Sequence, residues 1–304
     1  MDWKPLPLPA LVALSLLGES PFWHPGEAAL YWVDIPGKSL NRWHPQTAAY
    51  RRWPLPSEPG CCTPLPGGDL LLALRDGLVR FNPASGQRSL LAAPPYDPGV
   101  ERYNDGMADA QGRLWVGTLY EPRDAPKAAL YRWADGKLTK MASGVTVSNG
   151  LAFSPDGRTM LWSDTLAHRI DALDFDPADG SLSRRRVFAQ FPVKTPEQAL
   201  ATYGGRPDGA AMDAEGCCWV AMFEGQRLVR LSPAGELLQS IPVPVRCPTM
   251  PCFGGPDLRT LYVTTARLNR PADELAAQPW AGCVLSAPVD VPGSPGLPVN
   301  FARA

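Results

Sequence analysis

Apolar and polar positions alternate along this chain in short bursts, each ended by a turn signal. A short apolar stretch, a Gly-containing turn and an aromatic or aliphatic run recur six times. The copies span Phe22–Asp34, Thr63–Leu74, Met107–Thr118, Leu151–Asp164, Ala210–Ala221 and Pro251–Thr264. Marked by Trp32, Leu72, Trp115, Trp162, Trp219 and Tyr262, the copies lie 40, 43, 47, 57 and 43 residues apart. Further strand-like runs (Leu78–Phe81, Ala129–Trp133, Leu228–Leu231) lie between markers. Each is followed by a turn, at Asn82–Gly86, Ala134–Gly136 and Ser232–Gly235. Strands with a turn every ten or so residues build antiparallel sheet. A repeat near 40 to 45 residues with about four strands per unit is the period of propeller blades. The pattern therefore predicts an all-β, six-bladed β-propeller with four-stranded antiparallel blades around a central channel, as a single domain over residues 1–304. The longest interval predicts an insertion between Asp164 and Gln198, with a turn at Asp179-Gly180. The apolar run Leu11–Leu17 is expected to complete the last blade, because a ring left open exposes an edge strand.

Composition narrows the class. The chain is 45% hydrophobic, too apolar for disorder despite 28 Gly and 35 Pro. Its 29 basic and 30 acidic side chains leave a net charge of −1. Nucleic-acid affinity needs clustered Lys and Arg, and Arg184-Arg185-Arg186 is the only tight basic cluster, so no nucleic-acid partner is expected. No stretch reaches the length of a membrane helix. The N-terminal run lacks a basic start and a clear cleavage site, so a buried strand is expected there rather than a secretory signal. The seven cysteines show no C-x-x-C spacing, which points to free thiols in a reducing cytoplasm. The three histidines (His24, His44, His168) are too scattered for a multi-histidine zinc site. His24 and His44 each precede a proline, as turn residues do. A monomer is the default.

In a propeller the innermost strand of each blade lines the channel, and its first residues face one mouth. At those positions stand Gly18-Glu19-Ser20, Arg102-Tyr103-Asn104-Asp105-Gly106, Ser148-Asn149-Gly150 and Arg206-Pro207-Asp208-Gly209. The corresponding segment of the second blade, Glu58-Pro59-Gly60, aligns poorly. A lone Asn-Gly or Asp-Gly is usually a turn. Here the dipeptides precede their marker aromatics by similar distances: nine residues from Gly106 to Trp115, twelve from Gly150 to Trp162, ten from Gly209 to Trp219. Glu19, Asn104, Asp105, Asn149 and Asp208 should therefore crowd one mouth. Carboxylates gathered near a low-dielectric axis repel one another unless a cation compensates. A set of carboxylate and amide oxygens suits a hard divalent ion. With few protein ligands, that ion keeps open positions for water and substrate.

Leu17–Trp23, Tyr103–Gly106, Val147–Gly157 and Pro207–Gly209, followed by Cys252–Asp257 and Leu261–Thr265, make the chain resemble the SMP-30/gluconolactonase family of regucalcin-like lactonases. The resemblance runs in order from about Gly18 to Arg267. It implies a six-bladed propeller with one catalytic divalent ion, Ca²⁺ first and Zn²⁺, Mn²⁺, Mg²⁺ or Fe²⁺ as alternatives. It implies hydrolysis of sugar lactones to aldonic acids. Carried over residue by residue, it makes Glu19, Asn149 and Asp208 the metal ligands and Arg102 and Asn104 substrate contacts. Glu121 matches a further sugar-contacting carboxylate, against the alternative of a surface-loop side chain. Asp105 is either a turn former or support behind the ligands. The loops after Thr118 and after Ala266 vary in such proteins and should govern substrate choice.

The expected reaction has the ion polarise the lactone carbonyl while Asp208 orients or deprotonates water. Arg102 and Asn104 would fix the substrate. No G-x-S-x-G elbow occurs and no histidine is placed for a triad. Two other readings stay open: phosphotriester or aryl ester hydrolysis with the same ion, and a non-catalytic calcium-binding or docking propeller.

Overall fold

A computed structural model describes residues 1–8 and 14–300. Six four-stranded antiparallel sheets stand in a ring. Their innermost strands are Gly18–His24, Pro59–Pro64, Glu101–Ala108, Ser148–Phe153, Arg206–Met212 and Pro248–Gly254, each packed on the next and the last on the first. All six marker residues fall on the second strand of their blade, as on Leu114–Tyr120 for Trp115 and Cys218–Phe223 for Trp219. There they fill the spaces between blades, and Trp32, Trp115 and Trp162 have no exposed surface. A side chain of that size removes on the order of 200 Å² from water, about 5 kcal/mol of burial.

The long fourth interval has a structural cause. Blade 4 ends in a nine-residue outer strand, Leu182–Gln190, followed by a connection over residues 191–205 that contains a short 3-10 turn, Leu200–Thr202. The N-terminal segment does close the ring, but through Lys4–Pro5, which pairs with Leu285–Pro288 as the outer strand of blade 6. The expected closing run is not that strand. Residues 11–13 lie outside the described residues, and Leu17 pairs with Ala266 as an isolated bridge. Pro5, Pro7 and the short outer pairing suit an edge, where a missing N–H costs little.

The two ends of the channel differ. Its far half is an apolar cavity of about 400 Å³ lined by Trp23, Met107, Phe153, Met250, Phe253 and Leu297. The C-terminal segment straps that end. Gly293 N donates to Leu258 O (2.9 Å) and Ser294 N to Met212 O (2.9 Å) on blades 6 and 5, and Val299 N donates to Pro64 O (3.0 Å) on blade 2.

Hairpins at the far end repeat one device. In blade 3, Asp109 accepts from Trp115 Nε1 (2.8 Å) and Arg113 Nε (2.6 Å). In blade 5, fully buried Asp213 accepts from Trp219 Nε1 (2.9 Å), Arg230 Nε (2.8 Å) and the amides of Glu215 (3.0 Å) and Cys217 (2.9 Å). One carboxylate thus ties the turn to the inter-blade tryptophan. Asp213→Ala strands these donors and is expected to cost about 3 kcal/mol in urea unfolding. Glu215→Ala removes only an exposed second partner of Arg230 and should cost under about 1 kcal/mol. Equal losses would contradict this account of the hairpin.

Candidate active site

Each inner strand loses register with its neighbour near its first residues: between Glu19 and Phe22, Pro59 and Cys61, Tyr103 and Gly106, Asn149 and Ala152, Pro207 and Ala210, and Pro248 and Met250. Bulged residues leave the ladder, so their side chains can be re-aimed. Asn104, Asp105 and Asp208 sit inside these irregularities, and Glu19 and Asn149 are the last paired residues before them. The Asn-Gly and Asp-Gly pairs are therefore strand bulges, not reverse turns. Gly150 shows why glycine stands there: its φ is +56°, and a Cβ would fall 2.8 Å from the Asp208 carbonyl oxygen.

The structure brings the expected set together, all of it buried. Asn149 Nδ2 donates to Asp208 Oδ1 (2.6 Å) and to Thr165 Oγ1 (2.8 Å). Asn104 Nδ2 donates to Asn149 Oδ1 (2.7 Å) and Ser148 O (2.9 Å). Arg102 Nη1 donates to Asn104 Oδ1 (2.8 Å) and Tyr103 O (2.9 Å). A chain of contacts thus runs from Arg102 through Asn104 and Asn149 to Asp208. Asp105 accepts from Leu151 N (2.9 Å) through Oδ2, while its Oδ1 is buried with no partner among the described residues. Asp105 is thereby the third carboxylate of the cluster and not a turn former.

Burial raises all three carboxyls. Glu19 is pushed well above its ordinary value by burial and by the charges of Asp208 and Asp105. Asp208 rises to about 8, through burial and then Asp105, against the opposing pull of Arg206 and Arg102. Burial takes Asp105 to about 6. The Arg102 guanidinium is lowered by burial to about 10 and stays charged at neutral pH. Three carboxylates that resist ionisation together fit a divalent cation, which compensates their charge. Asn149 Oδ1 accepts one hydrogen bond and retains a second lone pair for such an ion.

Glu121 is neither free surface nor a direct neighbour of the carboxylates. Arg75 Nη2 holds its Oε1 at 2.6 Å, and Arg102 Nε lies 3.9 Å from the same oxygen. Thr165 and Arg75 are supports that motif reading missed. Thr165 follows the second strand of blade 4 directly, so its distance from Asn149 in sequence hides their contact. His168, buried, meets Tyr203 Oη at 2.5 Å, a pairing made only by the connection over residues 191–205.

Asp213, Glu215 and Cys217 also place ligand atoms within 4.8 Å of one another. Both Asp213 oxygens are already filled by Trp219, Arg230 and two amides, so this group is the hairpin device described above.

Residues 17–267 match the family model described as the SMP-30/Gluconolactonase/LRE-like region. The chain is 43% identical over 280 residues to a Pseudomonas putida protein named 6-deoxy-6-sulfogluconolactonase, covering 92% of this chain and 93% of that one. It is 35% identical over 273 residues to regucalcin of Oryctolagus cuniculus, covering 87% and 88%. Among solved structures, a calcium-binding regucalcin from Agrobacterium tumefaciens superposes with a TM-score of 0.87 at 28% identity, over 94% of each chain.

The raised carboxyls carry a pH signature. A carboxyl whose folded value exceeds its unfolded value near 4 binds protons more tightly in the folded protein, and that advantage disappears as pH rises through the folded value. With Asp105 at about 6 and Asp208 at about 8, chelator-treated protein should lose thermal stability between pH 5 and pH 8. Added Ca²⁺ should raise Tm more at pH 8 than at pH 5. A pH-independent Tm, or a larger calcium effect at pH 5, would contradict this electrostatic picture.

Proposed function

This chain belongs to the SMP-30/gluconolactonase/LRE-like family, and from that premise we propose that it is a metal-dependent hydrolase that opens sugar lactones to aldonic acids. The observation that carries the reading is the convergence of Glu19, Asn149 and Asp208 on one buried axis, with Asn149 bridging toward Asp208 at 2.6 Å. Glu19, Asn149 and Asp208 would hold one divalent ion, and the regucalcin relatives make Ca²⁺ the first choice. The chemistry such an ion supplies is Lewis-acid polarisation of the ester carbonyl.

The protein's own groups do the rest. Asp208 orients water toward the lactone carbonyl and accepts its proton as the carbon–oxygen bond forms. The proton then returns to the ring oxygen as the ester bond breaks, leaving an open-chain acid. Arg102, charged and buried, donates to the substrate's oxygens from a position fixed by Asn104 and Tyr103. Glu121 and Arg75 border the substrate on that side. The Pseudomonas putida relative makes a lactone carrying a C6 sulfonate a substrate to include beside neutral ones. A docking propeller would have no use for three buried carboxylates that destabilise one another, so the catalytic reading is preferred.

The test is initial acid release from five- and six-membered aldonolactones by chelator-treated protein, with and without added ions. Turnover should require the ion. Asp208→Ala should lower kcat at least about a thousandfold, the size expected when a water-activating group and an ion site are lost together. Asn104→Ala should weaken kcat/KM about tenfold to a hundredfold through lost positioning. Ion-independent turnover, or full activity in Asp208→Ala, would overturn the assignment.

A further inference from the structure

Two ion-pair networks flank the channel mouth, and their charges differ. On blades 2 and 3, the guanidiniums of Arg75 and Arg102 face the carboxylates of Glu58 and Glu121, and the charges cancel. On blades 5 and 6, three guanidiniums (Arg206, Arg246, Arg270) share only two carboxylates, Glu224 and Glu274. Arg270 takes the best of both. Its Nε and Nη2 donate to Glu274 at 2.7 and 2.7 Å, and its Nη1 donates to Glu224 Oε1 at 2.9 Å.

Among the described residues, the other two arginines are left with unused donors. Arg206 reaches Glu224 Oε2 only through Nη2, at 3.1 Å, with its guanidinium over the Phe223 ring at 5.1 Å. Arg246 Nε is buried without a hydrogen-bond partner among the described residues, 3.8 Å from Glu274 Oε2, and Nη1 makes a long 3.4 Å bond to Leu200 O. Their side chains are only 26% and 14% exposed, so water does not freely replace those partners. Arg206 stands two residues before Asp208 on the same inner strand, and Arg246 two residues before the inner strand of blade 6. Both belong to the mouth on which Glu19, Asn149 and Asp208 open.

We propose that Arg206 and Arg246 form an anion subsite for a tetrahedral sulfonate or phosphate at the exocyclic end of an aldonolactone. Arg270 is the pivot that holds Glu224 and Glu274 in place and leaves the two donors available. This inference rests on the lactonase reading above. Guanidinium forks suit such groups because two N–H donors match two oxygens. The network's single surplus positive charge is balanced by one sulfonate. A phosphate carries about −1.5 to −2 at neutral pH and leaves negative charge beside Glu19 and Asp208, so sulfonate is preferred.

The test compares kcat/KM for glucono-1,5-lactone, its 6-phospho form and its 6-deoxy-6-sulfo form, using the full chain loaded with Ca²⁺. Wild type should favour the sulfonate over the neutral lactone by at least about tenfold, mainly through KM, and the phosphate by less. Arg246→Gln and Arg206→Gln should each reduce the sulfonate-to-neutral ratio by about tenfold. A second readout keeps the question open to refutation should those variants fail to fold. The sulfonated open-chain acid, added to wild type, should raise Tm in low salt, and gluconate at the same concentration should raise it less. An unchanged ratio, an equal loss on all three lactones, or no difference between the two acids would overturn the subsite. Hydrolysis of the neutral lactone without anion preference would overturn the subsite and leave the lactonase standing, whereas failure on every lactone would overturn both.

Discussion

Three carboxylates on one buried axis are the constraint around which this molecule is arranged. Glu19, Asp105 and Asp208 come from three different blades, and burial opposes the charge of each. No single hairpin could bring such groups together, because neighbouring side chains on one strand point to opposite faces. A ring of blades can, since equivalent positions of every inner strand meet at its centre. The bulges complete the arrangement by releasing Asn104, Asp105 and Asp208 from the ladder at the level where they meet.

Neutral donors then hold these acids in place. Asn104 and Asn149 link Arg102 to Asp208 without adding charge, and Thr165 fixes the remaining proton of the Asn149 amide. The rest of the channel is closed off. Its far half is apolar, and the segment through Gly293–Asn300 ties blades 5 and 6 to blades 2 and 3 across that end. The polar chemistry is thereby confined to one mouth, where loops rather than the core decide which molecules reach it.

The fold is legible because one large apolar marker recurs per blade, aromatic in all but the second, at intervals of 40 to 57 residues. Trp32, Trp115, Trp162 and Trp219 all occupy the second strand for which the repeat argues. The closing strand was not legible: Lys4–Pro5 is too short and too rich in proline nearby to show alternation, and only pairing with Leu285–Pro288 defines it. At the mouth, Glu19, Asn104, Asn149 and Asp208 could be found because each lies 11 or 13 residues before its marker. Asp105 could be located but not interpreted, since whether its carboxylate faces solvent or axis depends on the bulge. Arg75, Arg246, Arg270 and Tyr203 lie on loops of unequal length, where no repeat fixes position. Their partners are set by three-dimensional neighbours such as Glu121, Glu274 and His168.

If the buried carboxylate axis takes one divalent cation, that ion must be visible on it in a crystal. The most direct measurement is an anomalous-difference map from crystals of chelator-treated protein soaked in Mn²⁺. One strong peak is expected within about 2.0–2.6 Å of oxygens from Glu19, Asn149 and Asp208, the range of hard-cation contacts. An empty axis, or a peak at Asp213 and Glu215 instead, would contradict it.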